Sequence, residues 1–224
     1  DDFSQRFVDV AKAGEYDLIL VSQLLFNSGR TFDRVGELAA MARPEGPWVA
    51  IDGYHAFMAI EAPIDPAIAA TAFYLGGGYK YAMAGEGMGF MQCPPGFGER
   101  PPITGWFAEF GELTAPPGSQ VGYTSDAMRF MGATFDPSAL YRFTAIQQML
   151  RENGITTARV AARLEEATAK GQMRDDGPLA TEVRAWAIMG MNVFLGLRFG
   201  VWGRQDPDLV AGHANDLIAR GLKS

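Results

Sequence analysis

The sequence predicts an α/β fold with a mostly parallel sheet, followed by a small α+β C-terminal domain. Three observations predict it. Two short apolar runs, 17–22 and 48–52, are separated by a loop and a helical stretch, which is the order of a βαβ unit. The second run, Trp48-Val49-Ala50-Ile51-Asp52, ends on an acid, and a glycine-rich stretch with one lysine follows it. From about residue 140 the pattern changes to helical periods with a single further strand candidate.

Residues 3–13 place Phe3, Phe7, Val8 and Ala11 at helical spacing, with Gly14 as a stop. Residues 17–22 read as a fully buried strand, and Asn27-Ser28-Gly29-Arg30 as a turn. Residues 32–43 predict a helix closed by Pro44, and 48–52 the next buried strand. Residues 67–74 lead into the glycine stretch, and 87–93 predict a strand ended by Pro94-Pro95-Gly96. Residues 94–125, rich in Pro and Gly, are expected to wander over the surface, although Gly105-Trp106-Phe107 is aromatic for a loop. Asp136-Pro137-Ser138 reads as a helix start, 140–153 as the helix, and Gly154 as its C-cap. Residues 156–170 predict a charged helix, 175–178 a linker, 181–189 a helix, 193–201 a strand holding Arg198, and 206–220 a closing amphipathic helix.

Composition narrows the function. The 224 residues are 48% hydrophobic and 20% charged, enough for a sizeable core. A net charge of −7 argues against a nucleic-acid surface. A single cysteine, Cys93, rules out a disulfide within the chain and points to a reducing, cytoplasmic compartment. Two histidines and no cysteine cluster argue against zinc or another metal. No apolar run approaches the ~18 residues a membrane span needs; the nearest, 187–197, is shorter and contains Asn192. The chain opens on Asp1-Asp2-Phe3, with no initiator Met and no signal peptide, so the natural protein is expected to start well upstream.

Three residues stand out chemically. Lys80 lies among six glycines in Leu75-Gly76-Gly77-Gly78-Tyr79-Lys80-Tyr81-Ala82-Met83-Ala84-Gly85-Glu86-Gly87-Met88-Gly89-Phe90. It reads either as an amine poised to form a Schiff base, with glycines admitting a bulky ligand, or as a solvated lysine on a glycine-rich turn. A phosphate-binding P-loop is ruled out, because the Gly-x-x-x-x-Gly-Lys-Ser/Thr spacing is absent and Tyr81 follows the lysine. Asp52 ends its strand at the edge where open α/β sheets bind ligands. It could keep a pyridine nitrogen protonated or serve as an ordinary N-cap or turn residue. His55 could meet a ring phenolate oxygen or be a satisfied buried histidine.

Ile51-Asp52-Gly53-Tyr54-His55, followed some two dozen residues later by Gly78-Tyr79-Lys80-Tyr81, resembles the class V aminotransferase family, fold type I, which depends on pyridoxal 5'-phosphate (PLP). The spelling is nearest to kynureninase-like members. The resemblance covers nearly the whole chain but only the second half of the family's length. It implies that residues 1–139 are the C-terminal portion of the PLP-binding large domain, and 140–224 a linking helix and the small C-terminal domain. Residues 23–32 resemble a loop facing substrate and cofactor, with Asn27 a substrate-binding candidate. Gly105-Trp106-Phe107 resembles the kynureninase Gly-Trp-aromatic segment, and Phe130-Met131-Gly132-Ala133-Thr134 the Phe-x-x-Gly-Thr segment, with Ala133 in a glycine position. Leu197-Arg198-Phe199-Gly200 resembles the segment whose arginine binds the substrate carboxylate.

By this resemblance Lys80 is the catalytic Schiff-base lysine, Asp52 pairs with the pyridine nitrogen, His55 with the ring oxygen and Tyr79 with the phosphate. Trp106 and Thr134 are further phosphate candidates across a homodimer whose active site is shared at the interface. Arg198 is the carboxylate clamp. The implied function is a PLP-dependent enzyme acting on an amino acid, first an aminotransferase of class V type. The alternatives are a kynureninase-like C–C hydrolase and an incomplete, non-catalytic relative. Some relatives are cysteine desulfurases, whose catalytic cysteine lies on a loop far after the lysine. Cys93 comes soon after Lys80 at a strand end and reads as core, which counts against desulfurase activity.

Overall fold

Parallel pairing of the two apolar runs sets the frame. The computed structural model of the protein describes residues 3–61, 63–116, 118, 120–159 and 206–222. Strand β1 (Leu18–Ser22) pairs in parallel with β4 (Trp48–Asp52), so that Ile19 faces Val49, Val21 faces Ile51 and Ser22 faces Asp52. Between them run a short hairpin, β2 (Leu24–Leu25) with β3 (Arg30–Thr31), and helix α2 (Val35–Ala39). β4 pairs in parallel with β5 (Phe73–Gly77), and β5 antiparallel with β6 (Gly89–Gln92). The sheet order is β1-β4-β5-β6, a mostly parallel α/β architecture.

The predicted helix at 3–13 is α1 (Phe3–Ala13). Its Val8 and Ala11 join Ile19, Val21, Leu38, Val49, Ile51, Ile68 and Tyr74 in one core. Val49 and Ile51 are fully buried, and each such side chain stabilises the fold by roughly 1.5–3 kcal/mol. Helix α3 (Pro66–Thr71) is capped by Asp65, whose carboxylate accepts from the Ile68 amide.

Several expectations are corrected here. β1 is half-buried rather than fully buried: Ile19 and Val21 enter the core, while Leu18 and Leu20 are each 55% exposed. The outward face is covered further along the sheet, where Phe73 packs against Trp48, Phe97 and Phe130. The predicted helix at 32–43 shrinks to α2, because the Phe32 amide donates to Gln23 O at 2.7 Å and keeps the chain extended. The glycine stretch begins as a strand, β5. Residues 94–125 are not wholly irregular: Trp106–Glu112 forms a 3-10 helix, and a second follows at Ala127–Phe130.

Arg129 organises this region. It is 3% exposed, and its guanidinium donates to the carbonyls of Phe97 (2.6 Å), Gly98 (3.0 Å) and Asp126 (2.6 Å). Its charge is dispersed on backbone oxygens, which meets the demand that a buried charged group be hydrogen-bonded.

Helix α4 (Ser138–Glu152) ends as predicted at Asn153 and Gly154. The Gly154 amide donates to Arg151 O, and that of Ile155 to Leu150 O, a Schellman closure. The chain divides into two compact units, Asp1–Thr157 and Ala158–Ser224. In the second, α5 (Pro207–Leu222) carries an ion pair one turn long between Arg220 and Asp216. The predicted elements at 156–170, 175–178, 181–189 and 193–201 lie outside the described residues, except that 157–159 are helical. Among the described residues no helix is long and apolar enough to cross a membrane.

Candidate active site

β4 and β5 run in parallel and leave the sheet at the same edge. The Gly53 amide donates to Leu75 O at 2.8 Å, so the chain after Asp52 stays stitched to the strand that leads to Lys80. It then turns tightly, with the amides of Ala56 and Phe57 both donating to Gly53 O. This turn presents Tyr54 and His55.

Asp52 is held from several sides. Its Oδ2 accepts from Ser22 Oγ at 2.8 Å, and its Oδ1 from the Tyr54 amide at 3.1 Å. The latter is the local side-chain turn that aspartate favours. Its backbone carbonyl accepts from the Gln23 amide at 2.9 Å. Each carboxylate oxygen keeps acceptor capacity beyond these bonds.

His55 stacks on Phe26, with ring centroids 5.7 Å apart and planes at 26°. Burial lowers its pKa below the usual histidine range; the Lys80 charge lowers it further and the Asp52 charge opposes both. The imidazole therefore lies within electrostatic reach of both the carboxylate and the amine.

Lys80 is part-exposed, in a loop that joins β5 to β6. The loop is closed by the Gly78 amide on Met88 O (2.9 Å), the Ala84 amide on Gly78 O (2.7 Å) and the Met83 amide on Lys80 O (3.0 Å). Nζ lies 5.3 Å from the centroid of the Tyr79 ring. Among the described residues it has no ion pair and no hydrogen bond. Tyr79 is 40% exposed and 5.5 Å from the Tyr54 ring. Burial raises its hydroxyl pKa, helped by Tyr54, Glu86 and Asp52.

The glycines do something other than admit a ligand. A Cβ at Gly77 would sit 2.3 Å from Tyr54 Cε1. The missing side chain makes room for a ring of this chain, one that leans from the Asp52 turn onto the lysine strand.

The structure thus brings together Asp52, His55, Tyr79 and Lys80. Asn27 is exposed on the β2–β3 turn, next to the Phe26 that stacks on His55. Trp106, 45% exposed, and the exposed Thr134 belong to segments that meet each other, through the Phe107 amide on Gly132 O (3.3 Å) and the Phe107–Phe135 ring contact. No hydrogen bond or ring contact ties them to Lys80, Asp52 or His55 among the described residues. Arg198 lies outside the described residues.

Sequence reasoning missed Ser22 and Tyr74, and placed Gln23 in a ligand-facing loop. Gln23 is instead 7% exposed. Its Nε2 donates to Pro63 O (2.8 Å), and its Oε1 accepts from the Tyr74 hydroxyl (3.0 Å). Burial, then the Asp52 charge, drives the Tyr74 pKa far up, so it stays a neutral donor. Aligning the two apolar runs as parallel partners would have found Ser22, since both end together. Nothing comparable marks Gln23.

No protein-family model matches the sequence, and no curated protein matches it significantly. The fold is similar to the apo structure of a cysteine desulfurase from Thermococcus onnurineus NA1. Identity is 19% and the TM-score 0.50, over 77% of this chain and 42% of that one. The chain spans less than half the length of that desulfurase. At this identity the likeness is one of fold alone, and it is consistent with the mostly parallel α/β sheet.

Proposed function

We propose that this chain carries the lysine-bearing part of a PLP-dependent enzyme of class V aminotransferase type that acts on an amino acid. The observation that carries this reading is the convergence of Lys80, Asp52 and His55 at the carboxyl edge of a mostly parallel sheet. The fold, similar to that of a cysteine desulfurase, is in keeping with it, because the family resembled by the motifs includes desulfurases.

The residues present fit the cofactor. Lys80 offers an amine that no anion neutralises among the described residues, as a lysine that must become nucleophilic requires. Asp52 has acceptor capacity to spare for a protonated pyridine nitrogen. His55, whose pKa is held low, can serve as a neutral hydrogen-bond partner for the ring oxygen. Tyr79 offers an exposed hydroxyl for the phosphate. When bound, the cofactor supplies an electron sink for the substrate α-carbon. Lys80 would then be the group placed to move the proton at that carbon, as general base and acid. Asp52, fixed by Ser22 and the Tyr54 amide, would hold its charge in place for the pyridine nitrogen.

In this reading the active site is shared across a homodimer, with Trp106 and Thr134 reaching the partner's phosphate. Arg198 clamps the substrate carboxylate with its planar fork, and Asn27 faces the substrate. Aminotransfer is the first choice of reaction. Kynureninase-like C–C hydrolysis is the second, favoured by the Gly105-Trp106-Phe107 segment. Persulfide chemistry is not proposed for Cys93: burial pushes its thiol pKa up, and it packs against the core.

The test is borohydride reduction after incubation with PLP, followed by peptide mass mapping, on this chain and on any longer natural product. A pyridoxyl adduct on Lys80, lost in Lys80→Ala, is expected. No adduct in the longest natural product would retire the proposal.

A further inference from the structure

We infer that Arg142, on α4, is a positioning residue for Lys80 and acts through the loop that carries it. The inference rests on the proposed role of Lys80 for its consequence, though not for its geometry.

Lys80 makes no side-chain ion pair or hydrogen bond among the described residues, so the backbone of its loop decides where its amine stands. Among the described residues one side chain hydrogen-bonds to that loop from outside. Arg142 Nε donates to Ala84 O at 3.1 Å, and Nη2 donates to Glu86 O at 2.6 Å. The guanidinium spends two arms of its fork on carbonyls two residues apart, which a single ammonium cannot reproduce. Ala84 is also the residue whose amide closes the loop on Gly78 O, two residues before Lys80. Two hydrogen bonds in series, through Ala84, therefore link α4 to Gly78, two residues before the lysine.

The loop is shaped for this contact. Gly85 and Gly87 adopt φ of +71° and +90°, which favour glycine. A Cβ at Gly85 would lie 3.7 Å from Arg142 Nε, and one at Gly87 3.5 Å from Ala139 Cβ. The loop backbone thus lies close against the first turns of α4.

The next residue along α4 reaches the other half of the site. Phe143 stacks on Phe57, with centroids 6.1 Å apart at 28°, and Phe57 meets Phe90 of β6 at 4.9 Å. Phe57 stands two residues after His55. Consecutive residues of one helix therefore hold the lysine loop and the histidine turn together.

The test uses Arg142→Met and Arg142→Lys in the full chain, with two readouts. The first is hydrogen–deuterium exchange of peptides covering 78–88, against those covering 18–22 and 48–52. The second is the rate at which PLP with borohydride labels Lys80. In Arg142→Met, exchange over 78–88 rises about fivefold, as expected for lost bonds from a charged donor at a part-exposed site. Exchange in β1 and β4 stays unchanged, and labelling of Lys80 slows about fivefold. Arg142→Lys shows the same changes at smaller size. If Arg142→Met does not fold, Arg142→Lys carries the comparison alone.

Unchanged exchange over 78–88 would overturn the inference. So would an equal rise in β1 and β4, which would mark general destabilisation, or an unchanged labelling rate in a wild-type protein that labels. If wild-type Lys80 takes no label, the cofactor reading has failed, and the exchange comparison decides whether Arg142 holds the loop.

Discussion

Asp52 and Lys80 stand at the same sheet edge, yet they are held in opposite ways. The carboxylate is fixed before anything binds: Ser22 and the Tyr54 amide converge on it, while the Gln23 amide holds the backbone carbonyl of the same residue. Among the described residues the amine has no ion pair and no hydrogen bond, and its position comes from backbone contacts of its loop. Under the proposed function the difference suits what each group would have to do. A charge that steadies a bound ring works best when it does not reorganise. An amine that must form and release a covalent bond works best without a competing anion.

The largest way to break this contrast is to remove each group in turn. Asp52→Ala leaves the Ser22 hydroxyl and the Tyr54 amide without acceptors, and a loss of about 2 kcal/mol is expected. Lys80→Met should stay within about 0.5 kcal/mol of wild type. Urea denaturation followed by circular dichroism measures both, and equal losses would erase the distinction. Ser22→Ala comes next, at about 1 kcal/mol, because it removes one hydrogen bond to a carboxylate that keeps its other partner. A wild-type midpoint in that variant would mean that the register partner of Asp52 does not hold it.

The pH response sharpens the same comparison. His55 has a folded pKa below its unfolded value, so the unfolded chain takes up the proton first as pH falls. Its contribution to stability is therefore complete above about pH 6.5 and declines as pH drops through the folded value. Glu37, Asp126 and Asp136, all held below their usual ranges, act in a lower window. His55→Gln should flatten the stability profile between pH 7 and 5 and leave the lower limb alone. A profile that keeps its upper limb would assign that titration elsewhere. The smallest effect is expected at Met83, three residues after Lys80, which holds a left-handed φ of +57°. Met83→Gly should gain about 0.5 kcal/mol by relieving that conformation. A loss would show that the side chain contributes packing that outweighs the strain.

The Asp52 turn was legible in the sequence because a buried run that stops on an acid can be read from hydropathy alone. The lysine strand was harder. Gly76 and Gly77 argue against a strand by propensity, and only the rings of Phe90 and Tyr54, which take the vacated space, explain their presence. The full burial expected of β1 failed because periodicity cannot say which faces of a sheet receive a layer. The helix at 32–43 was overextended because the Phe32 amide answers to Gln23, a tertiary contact with no local signature. Arg129 was invisible for the same reason, since an arginine that bonds only backbone carbonyls leaves no charge pattern to find.

Lys80 rides on a hairpin, and that sets an order of events. β5 and β6 are near neighbours along the chain, whereas β1 must find β4 and β4 must find β5 across intervening helices. Hairpins close in about 1–10 μs, and pairings between distant segments come later. The lysine loop is thus shaped early and is secured only when the parallel strands arrive beside it. During refolding the amine is presented before its carboxylate. Pulsed exchange should accordingly see amides of β5 and β6 protected ahead of those of β1.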